Sequence, residues 1–186
     1  MSDVGKSKNR VQWITRTAVL AALLIAVQWA TSGTQVFAGQ YITGSLVNCV
    51  LVVAALFGGL WSGVVVAAVS PFFAFLLGIG PKLIQIVPCI ALGNLVYVLA
   101  LYFLLGTAKR AVWRQALSLL AAAGAKFLTL YIAVVKIVIP VMGEGLKAPQ
   151  VKTFSAMFSW PQLVTALLGG TLALVILPVL RKAVKK

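Results

Sequence analysis

The chain has 186 residues, of which 62% are hydrophobic and 10% charged, with a mean hydropathy of +1.07 and a formal net charge of +14. Soluble domains are about a quarter charged, so this composition excludes a soluble globular domain and indicates an integral membrane protein. There is no histidine, and Asp3 and Glu144 are the only acids, so hard-metal sites, carboxylate dyads, Ser-His-Asp triads and carboxylate proton relays have nothing to be built from; no catalytic residue, metal site or cofactor is expected.

Six apolar stretches follow one another, at about 13–30, 43–57, 63–77, 83–105, 116–141 and 160–180. Most can cross about 30 Å of hydrocarbon as helices, although the second and third are short. The expected fold class is an all-α integral membrane protein, a compact bundle of six transmembrane helices forming one domain over 1–186. In the first stretch, Ala18, Ala22 and Ala26 are four residues apart and stack on one helix face. In lipid, small residues let a neighbouring backbone approach closely, and internal packing and docking to another protein are equally served by such a strip. The stretch is not read as a cleaved signal peptide, because five more spans follow and no A-x-A-like site closes a short apolar run.

The connection 31–44 mixes three glycines with Gln35, Gln40, Tyr41 and Thr43, a composition suited to folding over a site while offering neutral hydrogen bonds. A second working connection is expected at 143–162. Gly59, Gly63 and Ala67 form another small-residue strip, and Pro71, Pro88 and Pro140 interrupt apolar helices, each freeing a carbonyl that protein or cavity water must satisfy. Cys49 and Cys89 read as small buried hydrophobes. Lys82, Gln85, Cys89 and Gly93 share one face of the fourth helix; Asn94 lies half a turn from Gln85, and with Asn48 it can tie helices together.

The fifth stretch carries Lys126 near its middle, where an ionised ammonium costs at least about 2.5 to 3.5 kcal/mol. A helical wheel puts Thr129, Ala133 and Lys136 within about 80° of it, a polar and small stripe. No acid lies in any span. An anionic ligand would supply the partner for Lys126 or Lys136; snorkelling or backbone carbonyls are the alternatives. Gln162, Thr165 and Gly169 share a face of the last helix. Candidate substrate contacts are therefore Gln35, Gln40, Tyr41, Gln85, Lys126, Thr129, Lys136, Trp160, Gln162 and Thr165.

The positive charge is distributed unevenly. With the N-terminus inside, Lys6, Lys8, Arg10, Arg16, Lys109, Arg110, Arg114, Arg181, Lys182, Lys185 and Lys186 fall on the cytoplasmic side, against Lys82, Lys147 and Lys152 outside. This bias puts both termini in the cytoplasm, as a basic segment 1–12 and a basic tail 181–186. The clusters set topology and touch anionic lipid of the bilayer rather than nucleic acid.

Size, six spans, inside termini, the basic N-terminus running into "TRTAVLAALLIA", and the segments "TGSLVNCVLVVAALFGGLWSGVVVAAVSPFFAFLLGIGP" and "IVPCIALGNLVYV" together resemble the substrate-binding S components of energy-coupling factor (ECF) vitamin importers. That family's A-x-x-x-A motif in the first helix matches Ala18 with Ala22 and Ala22 with Ala26. The resemblance implies a multi-pass protein of the bacterial plasma membrane that captures a vitamin-like small molecule from outside. It also implies partners: a transmembrane coupling subunit, docked on the alanine strip, and two ATPase subunits. Release would occur by toppling of the whole subunit. An autonomous secondary transporter would need a coupling-ion site and inverted repeats, neither of which the sequence offers; a non-transporting membrane scaffold would use the buried polar groups only for packing.

Overall fold

The computed structural model describes residues 2–32, 36–79, 81, 83–106 and 111–183, with side-chain surroundings for all of these except 2–8, 36–38 and 144. The described chain is helical: α1 (Ser2–Thr31), α2 (Val36–Leu56), α3 (Leu60–Leu76), α4 (Ile86–Leu105), α5 (Val112–Leu130), α6 (Ile139–Met142), α7 (Ala148–Met157) and α8 (Trp160–Ala183), with no strand among the described residues. Among the described residues, five helical segments are long and apolar enough to span a bilayer, whereas α3 has 17 residues, about 25 Å of helix. The all-α membrane bundle expected from hydropathy is the fold observed.

Two connections differ from expectation. Helix α2 starts at Val36 rather than near 43, so Gln40 and Tyr41 sit in its first turns instead of in a loop. The connection 143–162 contains α7, which hydropathy does not reveal because its signals are those of a water-facing helix. Pro149 occupies the first turn, and the Gln150 side chain accepts a hydrogen bond from the Lys147 N–H at 2.9 Å. Between α5 and α6 the helix widens to π geometry over Tyr131–Val138. The widening lies just before Pro140, whose missing N–H leaves the carbonyl of Lys136 without its i+4 donor.

The packing is that of a membrane protein, with apolar side chains facing outward (Val19, Phe103, Leu117, Val175) and polar ones held inside (Thr17, Gln28, Asn48, Ser62, Ser70, Asn94, Lys126, Thr165). Helix α1 packs on α2 and α3, α3 on α4, α4 on α5, and α2 and α5 on α8. Near the α2–α3 turn, where Gly59 adopts φ +98°, Thr17 and Ser62 share a 2.7 Å hydrogen bond and Arg181 donates to the Leu56 carbonyl at 3.0 Å. Tyr97 joins α4 to α8 through its hydroxyl, 2.6 Å from the Ala166 carbonyl.

Helices α2 and α8 approach through glycine. A Cβ on Gly169 would run into the Ser45 carbonyl oxygen, which is backbone and cannot step aside. Gly169→Val is therefore expected to force the two helices apart, with a loss of about 1 to 3 kcal/mol or more, read as a lower melting temperature in detergent. A wild-type melting curve would contradict the tight crossing.

Candidate functional site

The helices enclose a cavity of about 570 Å³, inside the range of about 300 to 1,000 Å³ common for small-molecule sites. Polar side chains line it from several helices: Gln28, Thr31 and Ser32 from α1 and its end, Gln40, Thr43 and Asn48 from α2, Asn94 from α4, Lys126 from α5 and Gln162 from α8. The rest of the lining is mostly apolar, with Pro71, Ala74 and Phe75 of α3, Val87 and Ile90 of α4, and Phe154, Met157 and Phe158 at the α7 end. A lining of this composition suits a small molecule with both apolar and polar groups, the few polar side chains fixing its orientation.

Lys126 is 3% exposed, and its Nζ donates to Asn48 Oδ1 at 2.6 Å and Asn94 Oδ1 at 2.7 Å, with the Tyr97 ring centroid 5.3 Å away. The two carboxamide oxygens stand in for water around the ammonium but bring no negative charge. An ammonium has three N–H donors, and the two asparagines use two of them. No acidic residue lines the cavity among the described residues, so a proton on the Lys126 amine has no counter-charge in the lining. Asn48 is itself anchored, its Nδ2 lying 3.4 Å from Thr165 Oγ1.

The α7 end is held by a convergent pair of hydrogen bonds. Gln40 Nε2 donates to the Met157 carbonyl at 2.6 Å, and Gln162 Nε2 donates to the same oxygen at 3.1 Å. The last turn of α7 is thereby tied to both α2 and α8, which seats Phe154 and Phe158 over the cavity. Thr43 Oγ1 donates to Thr31 Oγ1 at 2.7 Å, joining α2 to α1 on the same side.

Of the candidate residues, Gln40, Lys126 and Gln162 meet at this cavity. Thr165 is buried behind Asn48. Thr129 is half-buried and bonds the Ala125 carbonyl at 2.8 Å, away from the lining. Gln85 is exposed at the start of α4, and Tyr41 is exposed on α2. Lys136 is exposed with its Nζ 5.7 Å from the Tyr131 ring, and the exposed Trp160 stacks on Phe127 at 5.9 Å. Gln35 lies outside the described residues, as do Lys82, Lys109, Arg110, Lys185 and Lys186. Cys49 and Cys89 are free thiols.

Ala18, Ala22 and Ala26 are all exposed, on the side of α1 away from buried Leu20, Leu24 and Gln28. The second small strip is different: Gly63 and Ala67 are buried, and a Cβ on Gly63 would lie 2.8 Å from the Ala55 Cα. Sequence reasoning did not single out Gln28, Ser70, Gln150 or Thr153 as lining residues. Gln28 alone gave a signal, a long polar side chain near the end of an apolar span.

Residues 12–181 match the family model described as "ECF transporter, substrate-specific component". No curated protein and no solved structure gives a significant match to the chain.

Proposed function

The chain belongs to the substrate-specific components of ECF transporters, and from that premise we propose that its cavity is the capture site for a vitamin or related micronutrient carrying an anionic group. Membership makes it a multi-pass membrane protein, the substrate-binding subunit of an importer, working with a coupling subunit and ATPases rather than as an enzyme. The observation that carries the finer reading is Lys126: a buried amino group, lining a cavity of ligand size, with neutral partners only. An anion placed there would offset a charge that the protein leaves uncompensated.

The setting is the bacterial plasma membrane, with both termini cytoplasmic, as the basic clusters favour. The α7 end of the cavity then faces outward and receives substrate from outside. The exposed strip Ala18, Ala22 and Ala26 is the docking face for the coupling subunit, and a smooth surface of this kind suits a subunit that topples in the membrane to release its load.

Purified alone in proteoliposomes, the protein is expected to bind substrate without accumulating it; adding the coupling subunit and both ATPases should give ATP-dependent uptake. Native mass spectrometry of the isolated protein identifies the bound molecule. Ion-driven, ATP-independent accumulation by the single chain would overturn this reading in favour of a secondary transporter, and an empty site under all conditions would favour a scaffold. A neutral or cationic ligand would overturn the anionic assignment.

A further inference from the structure

The two asparagines that hold Lys126 are not used alike. Asn48 spends both ends of its carboxamide inside the protein, Oδ1 accepting from Lys126 Nζ at 2.6 Å and Nδ2 lying 3.4 Å from Thr165 Oγ1. Asn94 spends one end. Its Oδ1 accepts from Lys126 Nζ at 2.7 Å, and no hydrogen bond leaves its Nδ2 among the described residues. The partner fixes the orientation of this carboxamide, because a donating N–H must meet the oxygen and so turns the amide nitrogen the other way. Asn94 is 3% exposed. Among the described residues, the buried side-chain polar atoms that have neither a partner nor open surface are Gln28 Oε1 and Ser45 Oγ. Asn94 Nδ2 is not one of them, so this unpartnered nitrogen retains open surface, and the space that Asn94 borders is the cavity. Donors left over inside a protein are few, and each costs stability until something accepts from it.

We propose that Asn94 is a substrate-recognising residue, its Nδ2 donating a hydrogen bond to an acceptor of the captured molecule. The inference rests on reading this cavity as the capture site. It gives Asn94 a role beyond that of a tie between helices, and it gives the site a second donor. Oδ1 and Nδ2 belong to one carboxamide, and Lys126 Nζ is 2.7 Å from that Oδ1, so the Asn94 N–H and the Lys126 amino group sit side by side in the lining. Neighbouring donors address one group of a ligand. A carboxylate, with two oxygens on one carbon, accepts from both at once. A primary carboxamide of the same shape presents one acceptor and one donor, so its NH2 meets an N–H and a buried donor is left unpaired. The pair therefore selects an acid over its amide.

The chain has three asparagines, Asn9, Asn48 and Asn94, so isotopic labelling of asparagine side-chain nitrogen gives three amide signals by NMR. Asn9→Ser, Asn48→Asp and Asn94→Asp each delete one signal, and any two of these variants assign all three. The molecule that co-purifies with the wild-type protein, identified by native mass spectrometry, is removed and titrated back. Its return is expected to shift an Asn94 side-chain N–H downfield and to leave those of Asn48 nearly in place. Asn48 is the internal control: it shares the Lys126 contact, so a change relayed through Lys126 moves both asparagines, whereas a bond to the ligand moves Asn94. Asn94→Asp keeps an oxygen for Lys126 and replaces the N–H with a second acceptor, so it should bind the same molecule at least about tenfold more weakly. An Asn94 signal unmoved at saturation, equal shifts at Asn48 and Asn94, wild-type affinity in Asn94→Asp, or a bound molecule with no acceptor atom would each overturn the proposal while leaving the capture-site reading intact. A wild-type protein that binds nothing would overturn the capture-site reading itself and this inference with it.

Discussion

Lys126→Met should weaken substrate binding by the isolated protein from about a hundredfold to a few thousandfold. The magnitude follows from stranding one member of a buried charge pair, which typically costs about 3 to 5 kcal/mol, with each 1.4 kcal/mol worth about a factor of ten. The same substitution leaves Asn48 Oδ1 and Asn94 Oδ1 without the donor they share, so some loss of stability accompanies it. The triple variant Lys126→Met, Asn48→Leu, Asn94→Leu separates the two effects. It removes the acceptors together with the cation, and it should regain thermal stability relative to the single variant while remaining unable to bind. Lys136→Met should bind as wild type does, since Lys136 is exposed beside Tyr131 and does not line the cavity. Unchanged affinity in Lys126→Met would return Lys126 to the role of a helix tie between α2, α4 and α5.

The contrast between Lys126 and Lys136 shows what a helical wheel can and cannot read. Both lysines fall on one stripe at 3.6-residue spacing, but Tyr131–Val138 is π-helical, and the extra backbone per turn rotates everything after it. Thr129, only three residues from Lys126, already bonds back to its own helix at the Ala125 carbonyl. Periodicity found the buried cation because a midspan lysine is costly wherever it points. It could not find the partners, since Asn48 and Asn94 reach Lys126 from other helices, and a sequence of apolar spans carries little information about which helices are neighbours.

The fold was legible where hydropathy is the governing quantity, which is to say in the long spans α1, α4, α5 and α8. It was less so at 36–42, where Gln40 makes a tertiary contact, and at 148–157, where the Gln150 side chain caps the helix. There Gln40 and Gln162 converge on one carbonyl of α7, a contact between residues that no local pattern connects. The two small-residue strips were equivalent as patterns. They differ only in what covers them, and the packing of α1 against α2 and α3 decides that: Gly63 and Ala67 are buried, while Ala18, Ala22 and Ala26 remain exposed.

That difference makes the alanine strip testable without disturbing the cavity. Ala22→Trp is expected to abolish ATP-dependent uptake and co-purification with the coupling subunit, while substrate affinity of the isolated protein stays at the wild-type level. Helices that pack through small residues sit with their backbones close, and an indole at Ala22 holds a partner helix several ångströms away, across the span where the contact must form. Binding is spared because Ala22 is exposed, whereas the cavity-lining Gln28 and the buried Leu20 and Leu24 occupy the other side of α1. Ala67→Trp provides the opposing case: Ala67 is fully buried in the core, so the same indole there has to break the bundle and should eliminate folding and binding together. Normal uptake and complex assembly by Ala22→Trp would show that the partner docks elsewhere; loss of substrate binding in Ala22→Trp would show that the strip supports the cavity instead of a partner.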